Sequence, residues 1–499
     1  MLSARQYFVE VIKAINLRQL LEDAVQNHAD RTALITERQR ITYGQLDRAV
    51  NAVAALIKQS GVGKGDKVAV MLPNIPEFVY CYFGALKIGA VVVPLNTSST
   101  PSELTYLMNN SDAKLLITLS SAVKKYQQAQ PQLLSCHQVI PIDTVNQNDA
   151  FISDTNSKDL PELSTGIDPD DSAVMVYTAG LTGKPLGAVL THRNLCSQAN
   201  VIQSVVRRTP DDIGLALIPL FHTFGATTSM LLAIRAGCSI FMMDRLTIDG
   251  LFGAIEKEKI TYIAAVPRLF IGMIFSEKAS KYDLNSLKIC VTGGAPMPAD
   301  FIPIFEQKLG VRIYEGYGLT EASPVCSLNR FDAVAKPGSI GTPLPGIDIK
   351  IVDDTGGELP RNETGEVIVR GDNVMQGYYK DKAATAAVIK NGWLYTGDLG
   401  RMDDENYIFL TGLKKRMIIT SGFNVYPREV ETVLNMHPAV LNSRISGKKD
   451  LMRGEVVKAE VVLKDGYSPD DKEIIRYCKI YLSNYKVPRE FEFVQTIPN

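Results

Sequence analysis

The chain has 499 residues, too many for one ordinary hydrophobic core, so two or more domains are expected. Apolar residues make up 45%, charged residues 21%, and the formal net charge is −1, the balance of an ordinary soluble globular protein. That charge argues against nucleic acid as the main partner, which calls for a basic stripe.

The first nineteen residues, MLSARQYFVEVIKAINLRQ, have an amphipathic helix pattern with charges throughout and no clean apolar stretch, so they are not a signal peptide. The most apolar region, 67–96, is broken by Pro73, Pro76, Glu77, Lys87 and Pro94, which excludes a membrane-spanning helix there. From residue 40 to about 320, short runs rich in Val, Ile and Leu alternate with helical patterns. Strands are predicted at 67–73, 90–96, 113–119, 172–178, 215–221, 239–243, 262–267 and 287–294, and a helix at 76–89 closed by Gly89. This alternation predicts an α/β fold: a large N-terminal domain of stacked βα layers.

Near Gly341 the texture changes to alternating apolar and polar residues around a DDTGG turn, predicting a β-rich subdomain at about 341–411. After TGLKKRM (411–417) a small, mobile α+β C-terminal domain is expected, giving domains at 1–412 and 413–499. There, Ser468 reads as a helix cap with Pro469 in the first turn, followed by the helix DKEIIRYCKIYLSN. The chain then runs out in an extended segment with no closing element expected. The seven cysteines (81, 136, 196, 238, 290, 326, 478) include no CxxC pair and read as reduced, buried thiols of a cytosolic protein. The five histidines have no metal-ligand spacing.

Several stretches carry chemistry. In YTAGLTGKPLG (177–187), glycines free backbone N–H groups to face phosphate oxygens, and Thr178 and Thr182 add hydroxyls. It lacks the GxxxxGK[ST] pattern, and alone it reads equally well as a glycine-rich strand-to-helix turn. EGYGLTEAS (315–323) sets Thr320 beside Glu321 at a strand's C-terminal end, where α/β sheets gather ligands and a carboxylate suits Mg²⁺. WLYTGDLG (393–400) holds Asp398 in a turn, suited to two ribose hydroxyls. PLFHTFG (219–225) places His222 between aromatics, and GGAPM (293–297) offers a flat peptide surface for adenine. Each alone is weak; a lone histidine is more often packed than catalytic.

Together, in this order and spacing, the stretches resemble the adenylate-forming superfamily of acyl-CoA synthetases, peptide-synthetase adenylation domains and beetle luciferases. The resemblance spans nearly the whole chain and adds SGFNVYPREVE (421–431). It implies an ATP-dependent acyl-CoA ligase. A carboxylate attacks the α-phosphate of ATP to give acyl-AMP, and coenzyme A then takes the acyl group. By matching positions, Thr178, Gly180, Thr182, Gly183 and Lys184 would cradle the outer phosphates. Thr320 would touch the α-phosphate, Glu321 would hold Mg²⁺, and Asp398 would bind the ribose. Gly294, Ala295 and Tyr317, with Gly318, would line the adenine site, and His222 would gate the acyl pocket. Lys415 would be the hinge, and Gly422 and Asn424 would face the site during thioester formation. PLFHTFGATTSM has no aspartate to pair with a substrate ammonium, which points to an uncharged fatty-acyl or aryl tail in the medium- and long-chain branch.

The resemblance implies a small-molecule acid, ATP, Mg²⁺ and coenzyme A as partners, no nucleic acid, no transmembrane segment, a cytoplasmic location and room for a homodimer. Departures motivate a second expectation, a catalytically impaired relative that binds nucleotide or acyl ligand. Ala179, Leu181 and Leu186 stand where the usual loop has two hydroxyls and a lysine, and Leu413 stands in place of an arginine. A segment bearing a Gly-Lys pair normally follows the point where this chain stops, so a truncated small domain is expected.

Overall fold

The computed structural model describes residues 16–143, 166–179, 184–243, 245–413, 417–450, 452–464, 466–468 and 470–497. Two large sheets carry the N-terminal part. In the first, seven strands run in the order Gly377–Tyr378, Pro185–Thr191, Ser172–Ala179, Val91–Pro94, Lys67–Met71, Ala113–Leu119, Gln138–Ile142. The last five of these are parallel and the first two antiparallel. The second has nine strands, six of them a parallel run of Ile313–Gly318, Ile289–Thr292, Tyr262–Ala265, Ile213–Ala216, Ser239–Met242 and Thr32–Ile35. Helices such as Pro76–Lys87, buried on every side, fill the space between layers, which is why these strands read as continuous apolar runs. The α/β class expected from the alternation is the class observed.

Local rules account for the helix ends. Thr42, Thr100 and Thr191 each cap a helix and are answered by the residue three along, a reciprocal capping box. Gly89, at φ +76°, turns the chain after Lys87 where a side chain would be strained.

The β-rich expectation is met by Asp348–Val352, Gly365–Arg370, Trp393–Met402, Ile389–Lys390 and Ile408–Leu413, one antiparallel sheet. Asp353 Oδ1 accepts the Thr355 and Gly357 N–H groups and pins the DDTGG turn. The C-terminal part has its own sheet and its own core, in which Val430, Leu434, Ile445, Ala459 and Cys478 meet. All seven cysteines are buried and free. Among the described residues no helix is long and apolar enough to cross a membrane.

Four expectations need correction. The 172–178 strand does not turn into a helix: Ser172–Ala179 pairs antiparallel with Pro185–Thr191, so the glycine loop joins two strands, and the helix His192–Val206 comes only afterwards. The strand predicted at 215–221 is Ile213–Ala216. Beyond it, the Asn74 amide bonds the carbonyls of Ala216 and Ile218 and the N–H of Leu220, replacing a neighbouring strand. The helix Asp471–Tyr481 is capped by Asp470, whose side chain accepts the Glu473 N–H, and not by Ser468. The C-terminal segment is not without an element: Glu490–Phe493 adds a parallel edge strand to Gly454–Leu463. The amphipathic N-terminal pattern falls largely outside the described residues, which begin at Asn16 and the helix Leu17–His28.

Candidate functional site

The two large sheets meet at Thr178 and Glu321. Thr178 lies near the end of Ser172–Ala179, next to Tyr177, whose hydroxyl donates to Asn110 Oδ1 at 2.8 Å and lies 3.2 Å from Leu107 O. Glu321 lies in the short turn Thr320–Ala322 that follows Ile313–Gly318. The Thr178 hydroxyl donates to Glu321 Oε1 across 3.1 Å. Tyr378, from the strand at the far edge of the first sheet, donates to the same oxygen at 2.8 Å. The turn fits only because position 318 is glycine: a Cβ there would stand 1.9 Å from the Pro324 carbonyl oxygen, which accepts the Leu319 N–H.

A second carboxylate faces the first. Asp398 comes from Trp393–Met402, the central strand of the third sheet. The Tyr317 hydroxyl donates to Asp398 Oδ2, and Asp398 N–H donates to the Thr396 hydroxyl. Burial pushes the Asp398 carboxyl up to about 6, helped by the negative charges of Glu321 and Glu366 and opposed by the Tyr317 hydroxyl. Burial likewise raises the phenols of Tyr317 and Tyr378, each holding its proton as the donor to a carboxylate. The site therefore gathers negative charge and uncharged hydroxyl donors.

His222 sits past the end of the second sheet, where Asn74 has led the chain away. Its Nδ1 accepts the Phe224 N–H at 3.2 Å, which leaves the ring proton on Nε2. Burial pushes the imidazole down to about 4, so the ring is neutral at physiological pH. Phe224 packs against Gly293 and Gly294: Cβ atoms built there would meet its ring at 3.4 and 3.8 Å. Gly294 is exposed at φ +76°, and Ala295 follows it. Below this loop Met297 N–H donates to Glu315 Oε1, and burial raises that carboxyl to about 7.

The small C-terminal sheet supplies one wall. Gly422, at φ +86°, approaches so closely that a Cβ would stand 3.0 Å from Val266 Cγ1. Arg268 Nη1 donates to Ser421 Oγ at 3.1 Å. Tyr426 is near enough for Glu321 and Asp398 to raise its phenol further, after burial.

Thr178, Tyr317, Gly318, Thr320, Glu321 and Asp398 are thus brought together, with Gly422 on the facing wall and His222, Gly294 and Ala295 along the border. Asn424 is exposed. Lys184 is exposed, just before Pro185–Thr191. Gly180, Thr182, Gly183 and Lys415 lie outside the described residues. Leu186 pairs directly with Thr178, and Leu413 with Asp398, so both departures fall in register with site residues. Tyr378, Thr396 and Tyr426 were not singled out from sequence. The doubled tyrosine of GYYKD gave no sign that the first faces a carboxylate while Tyr379 reaches Asp112.

Among the described residues no group of three His, Cys, Asp or Glu could cage a metal. One carboxylate with hydroxyl neighbours instead suits Mg²⁺, which keeps several waters and shares its shell with substrate phosphates.

Known proteins resemble the chain over most of its length. The AMP-binding enzyme family matches residues 21–379, and the AMP-binding enzyme C-terminal domain matches 429–499. A long-chain-fatty-acid–CoA ligase of Bacillus subtilis is 35% identical, covering 97% of this chain and 91% of its own. A double mutant of the o-succinylbenzoate CoA synthetase of B. subtilis, bound with its product analogue OSB-NCoA, superimposes with a TM-score of 0.86 at 29% identity, over 96% of this chain and 95% of its own. ATP-bound MatB from Rhodopseudomonas palustris superimposes with a TM-score of 0.74 at 28% identity, over 97% and 96%.

Proposed function

The chain belongs to the AMP-binding enzyme family, in its acyl-CoA synthetase branch, and we propose that it is an AMP-forming acid–thiol ligase for a fatty or other hydrophobic carboxylic acid. The acid's carboxylate attacks the α-phosphate of ATP, giving acyl-adenylate and pyrophosphate. The thiol of coenzyme A then adds to the acyl carbon, AMP leaves, and the thiol proton passes to solvent. A carboxylate is a poor acyl donor; the adenylate gives it a leaving group, and the protein must hold the reacting atoms in line while managing phosphate charge.

The observation that carries this reading is the Thr178–Glu321 hydrogen bond, which ties the strand before the glycine loop to the turn at the strand end of the other sheet. Mg²⁺ held at Glu321 would neutralise phosphate charge. Thr178, Gly180, Thr182, Gly183 and Lys184 meet the outer phosphates, Thr320 the α-phosphate. Asp398 takes the ribose hydroxyls, and Gly294, Ala295, Tyr317 and Gly318 line the adenine. His222 offers its Nε2–H to the substrate carboxylate, since Nδ1 is occupied and the ring is uncharged. A hydrophobic acid is supported by the Phe224 ring beside the glycine pair and by the name of the B. subtilis relative. The seven buried free thiols support a cytoplasmic setting.

Residues 413–499 act as the mobile domain, with Lys415 at the hinge. The contact of Gly422 with Val266 and the higher score on the complex with a CoA product analogue support an arrangement suited to thiol transfer, with Asn424 on the same strand-turn unit. Pyrophosphate release from ATP, measured with a panel of fatty and aryl acids, tests the reading. Release that depends on the acid, followed by thioester formation with coenzyme A, is expected. Leu186 opposite Thr178 favours one second reading, a ligand-binding relative without turnover. ATP binding with no release for any acid would establish it and overturn the first.

A further inference from the structure

A buried ionic cluster joins the two parts of the molecule away from the reacting groups. Glu103 opens the helix Pro101–Ser111 of the first layer. Its Oε2 accepts the Thr100 N–H at 2.9 Å, closing a capping box, and also the Ser483 hydroxyl at 2.6 Å. Its Oε1 accepts the Ser483 N–H at 3.2 Å and Lys486 Nζ at 2.9 Å. The same ammonium reaches Glu429 Oε1 at 2.7 Å. The side chains of Lys486, Glu103 and Glu429 are 10%, 12% and 8% exposed. Ser483, Lys486 and Glu429 belong to the C-terminal part; Glu103 comes from the other side, where Ser98 O also lies 3.5 Å from the Ser483 hydroxyl.

Two carboxylates surround one ammonium, so the cluster carries a surplus negative charge out of water. Such a group is poor glue, because desolvation offsets most of the attraction, but it is strict about partners and placement. Loss of the Lys486 charge leaves two carboxylates buried without a cation, whereas loss of the Glu103 charge leaves Lys486 paired with Glu429 and removes the ion pair that bridges the two parts. The cluster is also mechanically connected to the site. Tyr485, next to Lys486, stacks on Phe423 with ring centroids 4.6 Å apart, and Phe423 lies between Gly422 and Asn424.

We infer that Glu103, Lys486 and Glu429 form an interdomain lock that fixes the arrangement seen here, with Glu103 and Lys486 as positioning residues for transfer to the thiol; this rests on the ligase reading above. The lock acts on the second half-reaction because the groups it places, Gly422 to Tyr426, come from the C-terminal part. None of the described hydrogen bonds of Glu103 reaches Thr178, Glu321 or Asp398, the residues assigned above to adenylate formation. Burial raises the Glu429 carboxyl, with Lys486 opposing, as expected for the member carrying the surplus.

Glu103→Gln in the full chain is the clean variant, since glutamine also serves in a capping box and only the charge is lost. Pyrophosphate release should stay within about twofold. Thioester formation from preformed acyl-adenylate should fall about 30-fold or more, the scale of a lost partner in a buried charge pair. Lys486→Met should do the same, and the double variant should be no worse than Lys486→Met alone. Equal losses in both half-reactions, no loss in either, or additive losses overturn the lock. If the wild type releases no pyrophosphate with any acid, the ligase reading falls, and hydrogen exchange decides the lock independently. Faster exchange at 101–111 and 421–426 in Glu103→Gln supports it; unchanged exchange overturns it.

Discussion

Tyr378 and Thr178 donate to the same oxygen of Glu321, at 2.8 and 3.1 Å, so the carboxylate is held from two strands of one sheet while rooted in another. A carboxylate restrained this way offers its remaining lone pairs in a fixed direction. Tyr378→Phe removes one hydrogen bond to a charged acceptor, about 1.5–3 kcal/mol. The expected result is an increase of about tenfold or more in the Mg²⁺ concentration needed for half-maximal pyrophosphate release, with the melting temperature little changed. An unchanged Mg²⁺ requirement would show that Glu321 needs no such support.

Leu186 stands directly opposite Thr178 in an antiparallel pair, so their side chains share a face. Leu186→Lys would add a cation there, next to Glu321 and the phosphates assigned to this loop. The Michaelis constant for ATP should fall by about tenfold, the effect of roughly 1.4 kcal/mol, and the gain should shrink at high salt. No change in steady-state kinetics would mean that the loop's phosphate contacts are organised around the leucine.

Asp398 has its carboxyl raised to about 6 from 3.8. A raised carboxyl favours the folded state only while protonated: that contribution is complete below 3.8 and is lost as pH rises through 6. At pH 7 the ionised, buried group therefore costs up to about 3 kcal/mol of stability. Asp398→Asn should raise the melting temperature of the ligand-free protein at pH 7, not at pH 3.5, while ATP affinity collapses. In the wild type, kcat/KM for ATP should decline as pH falls below about 6, and calorimetry with pH-rate profiles checks both.

Glu315 follows the same sign without touching the reacting groups. Burial lifts it to about 7 from 4.5, and its second oxygen, Oε2, has no partner among the described residues. Glu315→Gln keeps an acceptor for Met297 N–H and removes a buried charge. Stability should rise by up to about 3 kcal/mol at pH 8, with no gain at pH 4.5, and kcat should change little. Denaturant melts at the two pH values decide it; a loss at pH 8 would mean the charge is compensated.

The parallel sheets were legible because strands buried on both faces need apolar residues at every position, and 113–119 was matched residue for residue. The strand predicted at 215–221 overran because LALIPLF is apolar throughout; only the Asn74 side chain, far away in sequence, tells the chain to leave the sheet. Thr178, Glu321 and Asp398 stood out as motifs, but their meeting did not, since they come from three sheets. Tyr378 was invisible for the same reason: nothing in GYYKD distinguishes a tyrosine facing Glu321 from its neighbour bonded to Asp112. Asp470 took the cap from Ser468 because the helix starts later than the proline suggested.

Gly422 presses on Val266, Ser421 is bonded by Arg268, and Tyr426 is buried within reach of the charges of Glu321 and Asp398. The site is thus roofed by a unit with a core of its own. We propose that substrate entry and product exit require that unit to swing through water, its drag becoming part of the rate. If this excursion limits turnover, kcat should fall in proportion to solvent viscosity in sucrose, while the single-turnover chemical steps stay constant. A kcat indifferent to viscosity would place the slow step in the chemistry.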